Sequence, residues 1–100
     1  MPRYILTDRA KADLREIISF IRRDSRQAAK QSRAEFNEAM RKLAEFPLMG
    51  HTREDAEDDS LRFWTVYSYL IVYRPGVKPL RILRVIHGAR DVGGALRRGH

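Results

Sequence analysis

The spacing of apolar residues changes once along the chain, near residue 60, and this change limits the fold more than any other feature. Between residues 8 and 46 apolar side chains recur every three or four positions, which is the spacing of one helical face. Between residues 61 and 87 they are dense, β-branched or aromatic, and interrupted by short turns, as in strands. With 100 residues in this order, we expect one α+β domain over residues 1–100.

The helical half predicts two amphipathic helices joined as a hairpin. A short strand is expected at residues 4–6, and Thr7 is placed to cap the helix after it, with an apolar stripe of Ala10, Leu14, Ile17, Ile18 and Ile21. Ser25 is placed to cap a second helix, which Pro47 and Gly50 end. The stripe of the second helix consists of Ala29, Ser32 or Arg33, Phe36, Met40, Leu43 and Phe46. The short connection favours an antiparallel pair.

The second half predicts strands after a loop at residues 47–60. The strands occupy residues 61–67, 69–74 and 80–87, with a tight turn around Ser68 and another turn over residues 75–79. A last short helix is expected over residues 89–96, weakened by Gly93 and Gly94. The expected fold is a helical hairpin packed on one face of a small, mainly antiparallel sheet.

Both faces of this sheet carry apolar side chains. Strict alternation divides the strand residues into two sets. One set holds Tyr69, Ile71, Tyr73, Ile82 and Ile86, and the other holds Leu70, Val72, Arg74, Leu83 and Val85. The hairpin can cover one face only. The second face is therefore covered either by the chain's own loops or by a partner protein, which would then contact the second set.

The net charge of +7 is unevenly distributed. Residues 1–60 carry twelve basic and twelve acidic side chains, whereas residues 61–100 carry eight basic side chains and a single acid, Asp91. An acidic cluster lies between residues 54 and 59. The asymmetry favours a positive surface that attracts an acidic protein or nucleic acid, although a merely solvated surface explains it too. Arg84 lies within an apolar strand, so it either pairs with Asp91, Glu35 or Glu38 or contacts a partner.

The sequence gives little sign of metal or cofactor chemistry. The chain has no cysteine, so it has neither a disulfide nor a thiolate metal site. His51, His87 and His100 have no companion at the spacing of metal ligands, and we expect no metal and no cofactor. His87 is more simply interpreted as a strand-end residue bonded to main chain. The first apolar run is too short for a signal peptide or a membrane span, which favours the cytoplasm.

Four segments resemble the ParE branch of the RelE/ParE toxin superfamily. They are Phe-Pro-Leu-Met-Gly at 46–50, Leu-Arg at 61–62, Tyr-Leu-Ile-Val-Tyr-Arg at 69–74 and, most specifically, Ile-Leu-Arg-Val-Ile-His-Gly-Ala-Arg-Asp at 82–91. The resemblance implies a RelE/ParE-like fold and a bacterial toxin that inhibits DNA gyrase without being an enzyme. It also implies a ParD-like antitoxin with a ribbon-helix-helix end, so that DNA is contacted only through antitoxin or gyrase. The candidate gyrase contacts are Arg62, Arg84, His87, Arg90 and Asp91.

The RelE-like branch of the superfamily, which cuts messenger RNA on the ribosome, is the alternative. That chemistry needs cationic side chains around the phosphate. Arg90 matches the C-terminal arginine of the branch, but the strand at 61–67 offers only Arg62 and no lysine. Leu70 stands in place of the middle-strand arginine, and Leu96 in place of the C-terminal tyrosine. No catalytic residue is therefore assigned, and a non-toxic binding module descended from a toxin is the third interpretation.

Overall fold

The order of elements agrees with the sequence-based prediction. The structure is a computed structural model and describes residues 3–89 and 92–98. The first half contains β1 (Tyr4–Leu6), α1 (Asp8–Asp24) and α2 (Arg26–Glu45), and the second half contains β2 (Arg62–Val66), β3 (Tyr69–Arg74), β4 (Leu80–His87) and α3 (Val92–Arg98). Of the helix expected over residues 89–96, residues 90 and 91 lie outside the described residues, and α3 is described from Val92 onward. The α+β fold class is confirmed.

Two hydroxyl caps define the helical hairpin. The Thr7 hydroxyl accepts a hydrogen bond from the Ala10 N–H at 3.1 Å, and the Ser25 hydroxyl accepts one from the Ala28 N–H at 3.0 Å. The N–H of Ser25 also donates to the Ile21 carbonyl at 3.1 Å, so this residue ends α1 and begins α2. Phe46 was expected in the buried stripe but is 57% exposed, because the chain leaves the helix at this residue.

The sheet has the strand order β1-β4-β3-β2. β1 is parallel to β4, and the two other neighbouring pairs are antiparallel, so the expectation of a mainly antiparallel sheet is confirmed. The turn between β2 and β3 places Tyr67 at a φ of 56°, a left-handed conformation that a side chain of this size rarely adopts. The hairpin packs on one face of the sheet through a cluster that includes Phe36, Met40, Leu43 and Tyr73.

A β-bulge in β4 reverses the expected alternation of its side chains. Tyr73 pairs with Ile82 and Val72 pairs with Arg84, so Leu83 is an extra residue without a counterpart on β3. Ile82 and Val85 consequently face the helices, whereas Ile86 faces the opposite side of the sheet. The expectation that Ile82 shares a face with Ile86, and Leu83 with Val85, is wrong for this reason.

The second face of the sheet is covered by the chain itself. Leu70, Val72 and Ile86 pack there against two elements that follow different strands. The loop before β2 contributes Ala56 and Leu61, and α3 contributes Val92 and Ala95. Leu70 is 4% exposed and Val72 is fully buried. Of the two interpretations left open by the sequence, burial by the chain's own segments is the one that the structure supports.

Candidate functional site

The predicted target contacts do not form one surface in the described part of the chain. Arg62 pairs with Tyr73 at one end of the β2–β3 ladder, whereas His87 pairs with Tyr69 near the other end of β3. The Arg62 guanidinium donates to the carbonyl oxygens of Gly50 at 2.7 Å and Leu48 at 3.3 Å, so it secures the loop after α2. Arg90 and Asp91 lie outside the described residues.

Arg84 is buried and connects three elements. Its Nε donates to Asp13 Oδ2 of α1 at 2.8 Å, and its Nη1 donates to the Ala95 carbonyl of α3 at 3.1 Å. Asp13 Oδ2 also accepts the N–H of Val85 at 3.0 Å, which lies at the edge of β4 beyond the end of β1. The ion partner therefore lies on the first helix. The expectation of Glu35 or Glu38 on the second helix is wrong, because Arg84 extends around the strand edge towards α1.

His87 lies at the end of β4 beside an aromatic pair. Its ring meets that of Tyr69 edge-on at 5.3 Å between centroids, and Tyr69 in turn meets Phe36 of α2 at 6.0 Å. The Nδ1 of His87 accepts a hydrogen bond from the Ala89 N–H at 3.1 Å. The interpretation of His87 as a strand-end histidine bonded to main chain is confirmed by this contact.

The five predicted antitoxin contacts are mostly inaccessible in the folded chain. Leu70 and Val72 are buried in the second cluster, and Val85 is 2% exposed beneath the helices. Leu83 is half-buried and lines a cavity of about 360 Å³ between the loop and α3. Arg74 is exposed. Antitoxin binding by these residues stays a prediction, and only Arg74 and Leu83 are open to a partner without rearrangement.

The acidic loop is held to the sheet by Asp58. This carboxylate accepts hydrogen bonds from the hydroxyl and N–H of Ser60 at 2.5 and 2.9 Å and from Nη2 of Arg74 at 2.6 Å. These bonds, with the Ser60 hydroxyl first, lower the pKa of Asp58 from its usual value to about 2. The same loop buries Ala56 and Leu61, so the acidic cluster is the outer surface of a cover over the second sheet face.

A cationic groove runs between α1 and α2. Two contiguous depressions of about 430 and 230 Å³ share Ile18 and Arg33 in their walls, and we call them together the hairpin groove. Its apolar floor includes Leu14, Ile18, Ala29 and Phe36. Six basic side chains surround it, and none of the described residues that line it is acidic: Lys11, Arg15, Arg22, Arg26, Lys30 and Arg33. All six are exposed.

The hairpin groove changes the interpretation of the charge. The excess of +7 belongs to residues 61–100 by count, but Arg62, Arg74 and Arg84 donate to carbonyl or carboxylate oxygens in the fold. The cations that line one groove instead belong to the electrically balanced half of the sequence. Their signal was present in the sequence as basic residues three, four or seven positions apart, which places them on one side of each helix: residues 11, 15 and 22, and residues 26, 30 and 33.

Two classes of site are absent from the described residues. No group of three or more histidine, aspartate or glutamate side chains among them is arranged to hold a metal ion. No helix among them is long and apolar enough to cross a membrane. The described geometry does contain an exposed cationic groove between α1 and α2 and a strand edge of β4 beyond the end of β1.

Comparison with known proteins agrees with this description. The model of the family "ParE toxin of type II toxin-antitoxin system, parDE" matches residues 4–92. The chain belongs to the ParE toxin family. A solved structure of the chromosomal ParDE toxin–antitoxin system from P. aeruginosa has a similar fold, with a TM-score of 0.69 and 22% identity over 87% of this chain and 96% of that one. No curated protein matches the sequence.

Proposed function

We propose that this ParE-family toxin inhibits DNA gyrase, blocks replication and breaks no covalent bond itself. The observation that carries the proposal is the state of Leu70. It stands where the RelE-like ribonucleases have an arginine, and it is 4% exposed beneath α3 and the loop before β2. An apolar, covered surface cannot stabilise charge on a phosphate. Membership of the ParE family supports gyrase as the target that we propose.

The experiment is an assay of the purified chain with gyrase. Inhibition of supercoiling and accumulation of cleaved DNA are expected, with no cleavage of messenger RNA on purified ribosomes. Codon-specific cleavage that is lost in Arg90→Ala would establish the ribonuclease alternative. Normal supercoiling together with intact RNA would leave the non-toxic binding module as the best description.

The partner that we propose is a ParD-like antitoxin, whose acidic amphipathic segment binds the hairpin groove. Six exposed cations would attract acidic side chains, and the apolar floor would bury the apolar face of the segment. The charge raises the association rate, whereas apolar burial slows dissociation. A DNA-binding end on the antitoxin would bring the pair to DNA, so the toxin itself needs no DNA contact. Since gyrase acts in the bacterial cytoplasm, we expect the chain to act there too.

A further inference from the structure

β4 continues past the end of β1 with a strand on one side only. β1 pairs with Leu80, Arg81 and Ile82 and then ends. The next main-chain groups of β4 form hydrogen bonds with residues at or near the start of α1. The N–H and hydroxyl of Thr7 donate to the carbonyls of Ile82 and Leu83 at 3.0 and 2.9 Å, and Asp13 accepts the N–H of Val85. Beyond that point the outer edge of β4 has no strand beside it in the described part of the chain.

The ladder pattern identifies the main-chain groups that face outward. The N–H of Gly88 points towards β3, since it donates to the Ser68 carbonyl at 2.8 Å, whereas the N–H of Val85 points towards α1. In an antiparallel pair, alternate residues direct their main-chain groups to the same side. The Val85 carbonyl and the N–H and carbonyl of His87 therefore face outward, and none has a partner among the described residues. Such an edge is a template for a further strand.

α1 forms the second wall beside this edge. A groove of about 690 Å³ lies between one face of the helix and the segment of β4 from Arg84 to His87, and we call it the edge groove. Phe20 lies in its wall and is 60% exposed. Arg9 and Arg23 lie at its two ends, separated by about 21 Å along the helix. An extended segment of about six residues covers the same distance.

We propose that the edge groove binds an extended segment of the toxin's target, about six residues long, as an added strand on β4. The inference rests on the proposed function. Arg9 and Arg23 favour an acidic residue near each end of the segment, Glu16 disfavours one in the middle, and Phe20 favours an apolar residue there. A uniformly acidic antitoxin segment fits this mixed groove less well than the hairpin groove. α1 is the shared wall, so an antitoxin bound on one side lies next to the target site.

The main-chain part of the inference is tested by His87→Pro with His87→Ala as its matched control. Both variants remove the imidazole, but only proline removes the outward N–H and blocks the edge. The readout is the inducer concentration that arrests growth of cells expressing each variant, with folding checked by circular dichroism and by antitoxin binding. His87→Pro should need at least ten times more inducer than His87→Ala. Equal toxicity of the two folded variants would overturn strand addition.

A second pair decides the inference if proline prevents folding. Phe20→Asp changes the edge groove, and Phe46→Asp makes the same change at a phenylalanine of similar exposure, 57% against 60%, outside that groove. Phe20→Asp should lose toxicity at least tenfold relative to Phe46→Asp while still binding antitoxin. If both are equally toxic, the edge groove is not the target site.

The growth readout separates this inference from the identity of the target. If growth arrest depends on Phe20 but the chain does not inhibit gyrase in vitro, gyrase is not the target, and the edge groove is still the target site. If the wild-type chain inhibits gyrase and both Phe20→Asp and His87→Pro inhibit it equally well, gyrase is the target and the edge groove is not the target site. Absence of growth arrest by the wild-type chain would overturn both.

Discussion

The hydroxyl of Tyr73 is held between two main-chain groups close to Gly50. It donates to the Pro47 carbonyl at 2.7 Å and accepts from the Gly50 N–H at 2.9 Å. Tyr73 is fully buried, and burial raises the pKa of its hydroxyl. A Cβ added at Gly50 would lie 2.4 Å from the hydroxyl oxygen. The segment at 46–50 is therefore an anchor that fixes the end of α2 to the centre of the sheet.

Gly50→Ala is expected to destabilise the chain by about 1–3 kcal/mol, because the new methyl group overlaps the Tyr73 ring as well as its hydroxyl. Denaturant unfolding measures the effect. The cost should be smaller in a Tyr73→Phe background, where the closest contact is gone. A Gly50→Ala variant with wild-type stability would contradict the close packing of these two residues.

Tyr73→Phe alone should cost about 1–3 kcal/mol, since the buried N–H of Gly50 and the carbonyl of Pro47 each lose a partner. Thermal and denaturant unfolding both report this change. Tyr69→Phe is a suitable control. The described contacts of Tyr69 with Phe36 and His87 are made by its ring, which phenylalanine retains. Equal losses in the two variants would argue against a special role for the Tyr73 hydroxyl.

Asp13→Ala should destabilise the fold by about 3–5 kcal/mol, because it leaves the Arg84 cation buried without a counter-charge and the Val85 N–H without an acceptor. Adding Arg84→Met should recover part of that loss. The double-mutant cycle measures the coupling between the two side chains. Simple additivity of the single variants would show that the pair does not act as a unit.

Asp58 predicts a pH dependence at the acidic end of the scale. Its pKa is about 2 in the folded chain, below that of an unfolded aspartate, so its contribution is complete above the unfolded pKa and is lost as pH falls towards 2. Between about pH 2 and the unfolded pKa, the free energy of unfolding should change less with pH in Asp58→Asn than in wild type. An NMR titration of the Asp58 carboxyl group measures the pKa directly. A normal pKa would contradict the bonds to Ser60 and Arg74.

Lys30→Glu combined with Arg26→Glu should slow association with an acidic antitoxin at least tenfold at low salt and flatten the dependence of the rate on salt. Both side chains line the hairpin groove. Arg41→Glu with Lys42→Glu makes the same change in charge on α2 outside that groove. Stopped-flow association rates compare the two. Equal slowing by both pairs would mean that net charge, rather than this groove, steers the antitoxin.

Local chemistry made most of the fold predictable from the sequence. Thr7 and Ser25 mark both helix starts because their hydroxyls satisfy free N–H groups, and alternation located β3 residue by residue. Ile86 was placed on the wrong face because an extra residue in a strand leaves no mark in composition. The cover over Leu70 was not predictable either, since it depends on where the loop and α3 return in space.

Candidate sites were less predictable than the fold. Counting charges assigned the excess to the strands, but a count does not show which cations are already paired, as Arg74 is with Asp58. The partner of Arg84 was sought at Asp91 or on the second helix, and the structure places a partner, Asp13, on the first helix. Both errors concern distance in space between residues that are far apart in sequence. The edge of β4 was also invisible, because it is defined by where β1 ends.

The single residue between α1 and α2 has a consequence for recognition. Ser25 serves both helices, so the connection contains no slack that would let them slide or spread apart. A partner that enters the hairpin groove therefore meets walls whose separation is already set, and moving them further apart would disturb the packing of both helices on the sheet. The entropy lost on binding is therefore almost wholly that of the incoming segment. Affinity should therefore respond more to stiffening the partner than to stiffening the toxin.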